Sequence, residues 1–168
     1  VYGKALGNGY PISAVIGKRN LMSKSNDTFI SSTAWTERLG FVAALATIKF
    51  LKKKKVSSLI RKRGKYIIKG WEEIAKKNNL KIRTNKFYCM PSFYFDYSKK
   101  NDKLYTLFTE LMLKRGYIST NYMFVTYAHN KSEINKYLKI CDKVFKEIKK
   151  VLFLKKKILK STVRKMTY

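Results

Sequence analysis

The stretch GKALGNGYPISAVIGKRNLM, Gly3–Met22, sets Lys4 among glycines, ahead of a short apolar run at Ile12–Ile16 and a second lysine, Lys18. A lysine beside a glycine loop can cradle phosphate, position a reactive amine, or merely accompany a tight turn. The nucleotide P-loop is excluded, because its lysine follows the glycines and is itself followed by a hydroxyl residue, whereas Lys4 precedes them and is followed by Ala5. Gly7 and Gly9 form a G-x-G, but Ile12 stands where the dinucleotide fingerprint needs its third glycine. Two readings of Lys4 remain: an amine able to form a Schiff base with a carbonyl cofactor, or one more solvated charge among 31 lysines. Ile12–Ile16 suits a buried strand or turn, with Lys18 a surface charge beyond it.

Outward from this stretch, Ser25–Asp27 reads as a polar loop, Thr28–Ser31 as a short extended piece and Ser32–Thr36 as a turn. Leu39, Val42, Ala43, Ala46 and Phe50 fall at i, i+3, i+4, i+7 and i+11, the stripe of an amphipathic helix whose apolar side normally faces a core. The run Lys52–Lys55 suits the negative end of that helix and marks a junction. A second helix, from Ser57 or Ser58 to about Asn78 and Asn79, carries Ile60, Ile67, Trp71 and Ile74 on one side, and a domain boundary is expected within this helix pair.

Phe87–Phe95 reads as a strand, with Pro91 marking an edge or bulge. Asn101 or Asp102 is expected to cap a helix bearing Leu104, Leu107, Phe108 and Leu111, with Glu110 and Lys114 paired and Gly116 as its stop. Tyr117–Tyr127 reads as a second strand. Asn130 with Glu133 has the form of a capping box at the start of the longest helix, whose apolar positions run from Ile134 to Leu152. Strand, helix, strand and helix make a small layered α/β domain. A basic tail follows, where fraying is expected.

Composition narrows the function. With 45% hydrophobic and 14% aromatic residues, the 168-residue chain can build a core, and no apolar run approaches the roughly 20 residues that span a bilayer. No apolar h-region with a small-residue cleavage site appears in the first residues given, and a cytoplasmic setting without membrane partners is expected. The formal charge of +28 invites a polyanion partner, but 31 of the 38 basic residues are lysine, spread over most segments, whereas base-reading and phosphate-clamping sites lean on arginine. Nucleic acid is therefore not the expected partner. Two cysteines and one histidine cannot assemble a zinc site, and no metal is expected; Cys89 and Cys141 both read as buried packing residues. His129 reads as a turn histidine, and Glu72 and Glu73 as a solvent-facing patch.

Several blocks, in order, resemble one enzyme family. GKALGNGYPISAVIGKRNLM and TFISSTAWTERLGFVAALATI are similar to the cofactor-lysine region of class III pyridoxal-phosphate aminotransferases, especially the glutamate-1-semialdehyde 2,1-aminomutase branch. LFTELMLKRGYIST and VTYAHNKSEINKYLKICDKVFKEI resemble the C-terminal domain of the same branch, so the likeness covers roughly Gly3–Lys150. It implies an α/β fold: the C-terminal part of a fold-type-I transferase, with residues 1–55 ending the large cofactor domain, 56–154 forming the small C-terminal α/β domain and 155–168 the basic tail. It implies pyridoxal 5'-phosphate as cofactor and amino-group transfer between small amino donors and carbonyl acceptors.

Residue by residue, Lys4 matches the lysine that forms the Schiff base with the cofactor and afterwards moves the substrate proton. Thr33 matches the threonine that contacts the cofactor phosphate across a dimer interface, which implies a homodimer with a shared active site. The glycines would let the chain turn closely beside a bulky cofactor. WTER, Trp35–Arg38, follows the pattern of the branch without an implied role. The family's phosphate loop, ring-stacking aromatic and pyridine-nitrogen carboxylate would precede Val1, so the chain is expected to begin at a cut edge and to be inactive alone. A basic binding module, or a degenerate remnant that binds nothing, are the alternative readings.

Overall fold

The computed structural model describes residues 1–31 and 33–153. The expected tail, 155–168, lies outside the described residues. The chain divides into two compact units, Val1–Val56 and Ser57–Tyr168.

The first unit is mostly turns. Tyr2 and Ala14 exchange backbone hydrogen bonds of 2.7 Å in each direction and form an isolated bridge, with a single 3₁₀ turn at Lys4–Leu6 between them. The Ile12–Ile16 run is therefore not a strand: Val15 and Ile16 are exposed, and Ala14 alone is bridged. A four-residue helix, α1 (Arg19–Met22), follows, and then a 3₁₀ turn at Ser23–Asp27, which takes in the Ser25–Asp27 stretch expected as loop.

The amphipathic pattern does form a helix, α2 (Arg38–Lys53), capped by the Glu37 carboxylate, which accepts the Leu39 N–H. Its orientation corrects the expectation. Within the unit the buried residues of α2 are Gly40 and Ala44, while Leu39 and Val42 of the expected stripe are 59% and 65% exposed. At Gly40 a small residue is inward because α2 runs against the Pro11 carbonyl and the Ile12 side chain: a Cβ there would lie 2.9 Å from the Pro11 carbonyl oxygen.

The second unit holds a continuous core. It contains α3 (Val56–Lys77), β1 (Ile82–Thr84), β2 (Phe93–Phe95), α4 (Asn101–Leu113) and α5 (Lys131–Phe153). β1 and β2 pair antiparallel with Arg83 opposite Tyr94. On the other edge of β2 the chain runs antiparallel as well: Phe93 N–H bonds to Asn121, Met123 N–H to Pro91 and Val125 N–H to Cys89. The expected strand at Tyr117–Tyr127 is thus an extended run with one true bridge, Ser92 to Tyr122. The expected strand at Phe87–Phe95 shrinks to its last three residues. Asn85 Oδ1 accepts the N–H groups of both Phe87 and Ser92 and ties the intervening residues into a turn.

Phe93 and Phe95 share one sheet face, and all three helices pack on it. Phe93 meets Trp71 of α3, Phe108 of α4 and Phe145 of α5 edge-on, at 5.1, 5.1 and 5.5 Å between ring centres. Such edge contacts add about 0.5–1.5 kcal/mol each beyond burial. The Trp71 indole N–H donates to the Tyr137 hydroxyl at 3.2 Å. Burial raises the Tyr137 pKa well above its ordinary value and pushes the adjacent Cys141 thiol up to about 12.

Helix ends follow local chemistry. α3 stops where Asn79 adopts φ +53°, and α4 where Gly116 adopts φ +80°; in each case a backbone N–H beyond the helix reaches back to a final-turn carbonyl. Asn130 Oδ1 accepts the Glu133 N–H, the expected cap of α5. Asn101 does not cap α4. Its Oδ1 accepts the N–H of Tyr97, before the helix. Among the described residues no helix is long and apolar enough to cross a membrane.

Candidate functional site

The first unit positions Lys4. Gly3 is extended, and Lys4 then turns the chain with φ +46°, a left-handed conformation that costs a residue with a Cβ roughly 1–2 kcal/mol. The reciprocal Tyr2–Ala14 bonds hold the chain just before this residue, and Leu6 N–H bonds to the Gly3 carbonyl just after it. Gly7 is required by a close approach. A Cβ there would fall 2.2 Å from the Tyr10 carbonyl oxygen. The tightness at Gly7 is thus the chain's own return rather than room for a cofactor, while Gly9, at φ +110°, has open space beside it.

Lys4 is exposed and lines a cleft of about 1080 Å³ together with Ser13, Lys24, Ser31, Trp35 and Phe41. The chemistry this set offers is two primary amines, Lys4 and the Asp27-facing Lys24, in an open cleft with hydroxyls nearby. The hydroxyls of Ser25 and Thr28, also on its wall, donate to the Met22 and Ser25 carbonyls. The carboxylates of the unit are engaged: Asp27 lies 3.9 Å from Lys24, and Glu37 caps α2. A group with an aldehyde therefore fits at Lys4, while no free carboxylate of this unit meets it.

Thr33 is exposed in the 33–36 turn and does not line this cleft, so within one chain Lys4 and Thr33 are not brought together. Trp35 and Glu37 do line it; Arg38 begins α2. Ser13, Ser31 and Lys24 were missed as cleft residues, because nothing in their local pattern sets them apart from other serines and lysines.

Elsewhere, His129 Nδ1 accepts the Thr126 N–H, a turn role. Glu72 accepts the Thr84 hydroxyl and Glu73 lies 3.7 Å from Lys69, both at the surface. Cys141 is buried, but Cys89 is exposed, in the turn that Asn85 closes, which corrects the expectation of two buried thiols. Among the described residues no cluster of His, Cys, Asp and Glu could hold a metal ion.

The fold has a counterpart. A solved structure of the pyridoxal-phosphate internal aldimine form of the FumI protein of Sphingopyxis sp. MTA144 matches 90% of this chain with a TM-score of 0.81 at 22% identity, over 37% of its own length. The chain therefore shares the fold of part of that pyridoxal-phosphate-binding protein. The curated relatives it matches include a transaminase, aminotransferases and aminomutases. The 2'-deamino-2'-hydroxyneamine transaminase of Streptomyces kanamyceticus is 28% identical over 131 residues, 75% of this chain and 33% of that protein. The glutamate-1-semialdehyde 2,1-aminomutase of Fusobacterium nucleatum is 25% identical over 87% of this chain and 38% of its own length. The 3-aminobutyryl-CoA aminotransferase of Cloacimonas acidaminovorans is likewise 25% identical, over 90% of this chain and 38% of its own. The chain spans 33–38% of the length of these curated relatives. No protein-family model matches it.

Proposed function

We propose that this chain supplies the lysine side of a pyridoxal 5'-phosphate site for amino-group transfer between small amino donors and carbonyl acceptors. The observation that carries the reading is the Lys4 amine on the wall of an open cleft, at a strained backbone position, in a chain whose relatives are transaminases and aminomutases. In this reading residues 1–55 are the end of a large cofactor domain and residues 56–154 the small C-terminal α/β domain, a reading supported by the division into two compact units after Val56.

When bound, the cofactor supplies an aldehyde and a ring that accepts electron density. Lys4 would hold the aldehyde end through its ε-amine, and the same amine, when free, would carry a proton to and from the substrate α-carbon, a task for its neutral form. Thr33, exposed and away from its own chain's cleft, binds the cofactor phosphate of a partner's site in a homodimer. A cytoplasmic setting accords with the two free thiols.

The test reads binding rather than turnover. The full chain is incubated with pyridoxal 5'-phosphate, reduced with borohydride, digested and mapped by mass spectrometry. Lys4 is expected to carry most of the label, and Lys4→Ala to abolish the visible absorbance. Label spread evenly over other lysines, or absorbance unchanged in Lys4→Ala, overturns the assignment.

A further inference from the structure

The second unit holds a concavity that the Lys4 cleft has no part in. It lies between the C-terminal end of α3 and the last turns of α5 and encloses about 700 Å³, within the roughly 300–1,000 Å³ typical of small-ligand sites. Five lysines line it, Lys77 from α3 and Lys143, Lys146, Lys149 and Lys150 from α5, against a single carboxylate, Asp142.

That carboxylate is already engaged. Lys77 Nζ donates to Asp142 Oδ2 at 2.6 Å and Asn78 Nδ2 to Oδ1 at 2.9 Å. Burial works against the Asp142 charge, but these hydrogen bonds, with the charges of Lys77 and Lys146, outweigh it and hold the carboxyl below its ordinary pKa. Asp142 therefore fixes Lys77 in place. Among the described residues the four α5 lysines lie beyond ion-pair distance of any carboxylate.

Geometry narrows the ligand. Lys143, Lys146 and Lys150 stand at i, i+3 and i+7, on one side of α5, over about 10 Å of helix axis. This is the reach of a few linked phosphates rather than of a long polymer track. No arginine lines the groove, so nothing in it offers the planar fork that grips a carboxylate, a base edge or a single phosphate in two-point contact, and only the point charges of the lysines remain. Point charges this dense favour a ligand that is itself densely charged.

We propose that this groove binds a small polyanion with two or more linked phosphates, an organic di- or triphosphate or an inorganic polyphosphate, between Lys77 and the α5 lysines. The test is calorimetric titration of the full chain with inorganic tripolyphosphate, orthophosphate and adenosine triphosphate at two salt concentrations. Tripolyphosphate is expected to saturate one site, at least tenfold more tightly than orthophosphate and more weakly at higher salt; adenosine triphosphate binding more tightly than tripolyphosphate identifies an organic ligand, and the reverse an inorganic one. Lys146→Gln with Lys150→Gln lowers that affinity at least tenfold. Lys62→Gln with Lys103→Gln, the same charge change at exposed positions outside the groove, changes it less than twofold. Equal losses in both pairs, absence of saturation, or duplex DNA displacing tripolyphosphate with equal sensitivity to both pairs assigns the binding to diffuse charge and overturns the proposal.

Discussion

Two glycines of α3 offer a sharp test of the second unit's packing. Gly64 and Gly70 are both interior to the helix, so alanine gains each about 1 kcal/mol of helix propensity. Their surroundings differ. At Gly64 a Cβ would lie 1.9 Å from the Tyr88 carbonyl oxygen and 2.7 Å from its carbon, both backbone atoms. Relief requires moving a turn held by the two bonds to Asn85 and by the Val125 N–H on the Cys89 carbonyl. Overpacking of this kind costs typically 1–3 kcal/mol, and an overlap against tethered backbone belongs at the upper end, leaving Gly64→Ala about 2 kcal/mol less stable. At Gly70 the Cβ would meet the methyl groups of Leu138 at 2.5 and 2.8 Å, and these end a flexible, half-buried side chain. A shifted rotamer costs about 0.5–1.5 kcal/mol, which the helix propensity nearly cancels. For a unit of this size, thermal unfolding followed by circular dichroism should fall by roughly 8–16 °C in Gly64→Ala and by less than about 4 °C in Gly70→Ala. Gly64→Ala melting at or above the parent, or Gly70→Ala falling further, refutes the packing argument.

Three further outcomes are expected. Tyr137→Phe leaves the Trp71 indole N–H with only the weakly accepting Cys141 thiol and should lower stability by about 1–2 kcal/mol, read as an earlier urea midpoint; an unmoved midpoint counts against the bond. Because folding lowers the Asp142 pKa, its contribution is present at neutral pH and lost as pH falls below the usual carboxylate value of about 4 and through the lower folded value. Asp142→Asn should flatten that acid loss, and an unchanged stability profile below pH ~4 would contradict it. A thiol reagent should titrate one sulfhydryl in the native chain, Cys89, and two in denaturant, since burial protects Cys141; rapid reaction of both in the native state would show that α5 opens.

The helices of the second unit were legible because their apolar stripes meet inside one core: Trp71, Phe108 and Phe145 converge on Phe93. Periodicity says that a face exists, not what covers it, which is why α2 was found but its inward side was misjudged. β1 was invisible, being three residues long with Arg83 exposed between two half-buried neighbours. Tyr117–Tyr127 carries strand-forming residues, but the Ser119 and Thr120 hydroxyls bond to backbone within two residues, a local competition that breaks the ladder. Cys89 followed its turn rather than the usual burial of free cysteine. At the candidate site, Lys4 stood out through its glycine setting and the family pattern around it. The cleft that surrounds it is assembled from segments whose approach no local pattern encodes.

The inverted burial of α2 bears on how this chain tolerates change. Hydropathy would nominate Leu39, Val42 and Leu45 as positions to protect, yet they are more than half exposed, and Leu45→Gln should leave the fold of the first unit intact while improving the behaviour of the isolated chain in solution. The intolerant position is the one that hydropathy passes over. At Gly40 any added carbon presses on the Pro11 carbonyl at 2.9 Å and on Ile12 Cβ at 3.2 Å, so a single methyl there should matter more to this unit than the exchange of Leu45 for glutamine further along the helix.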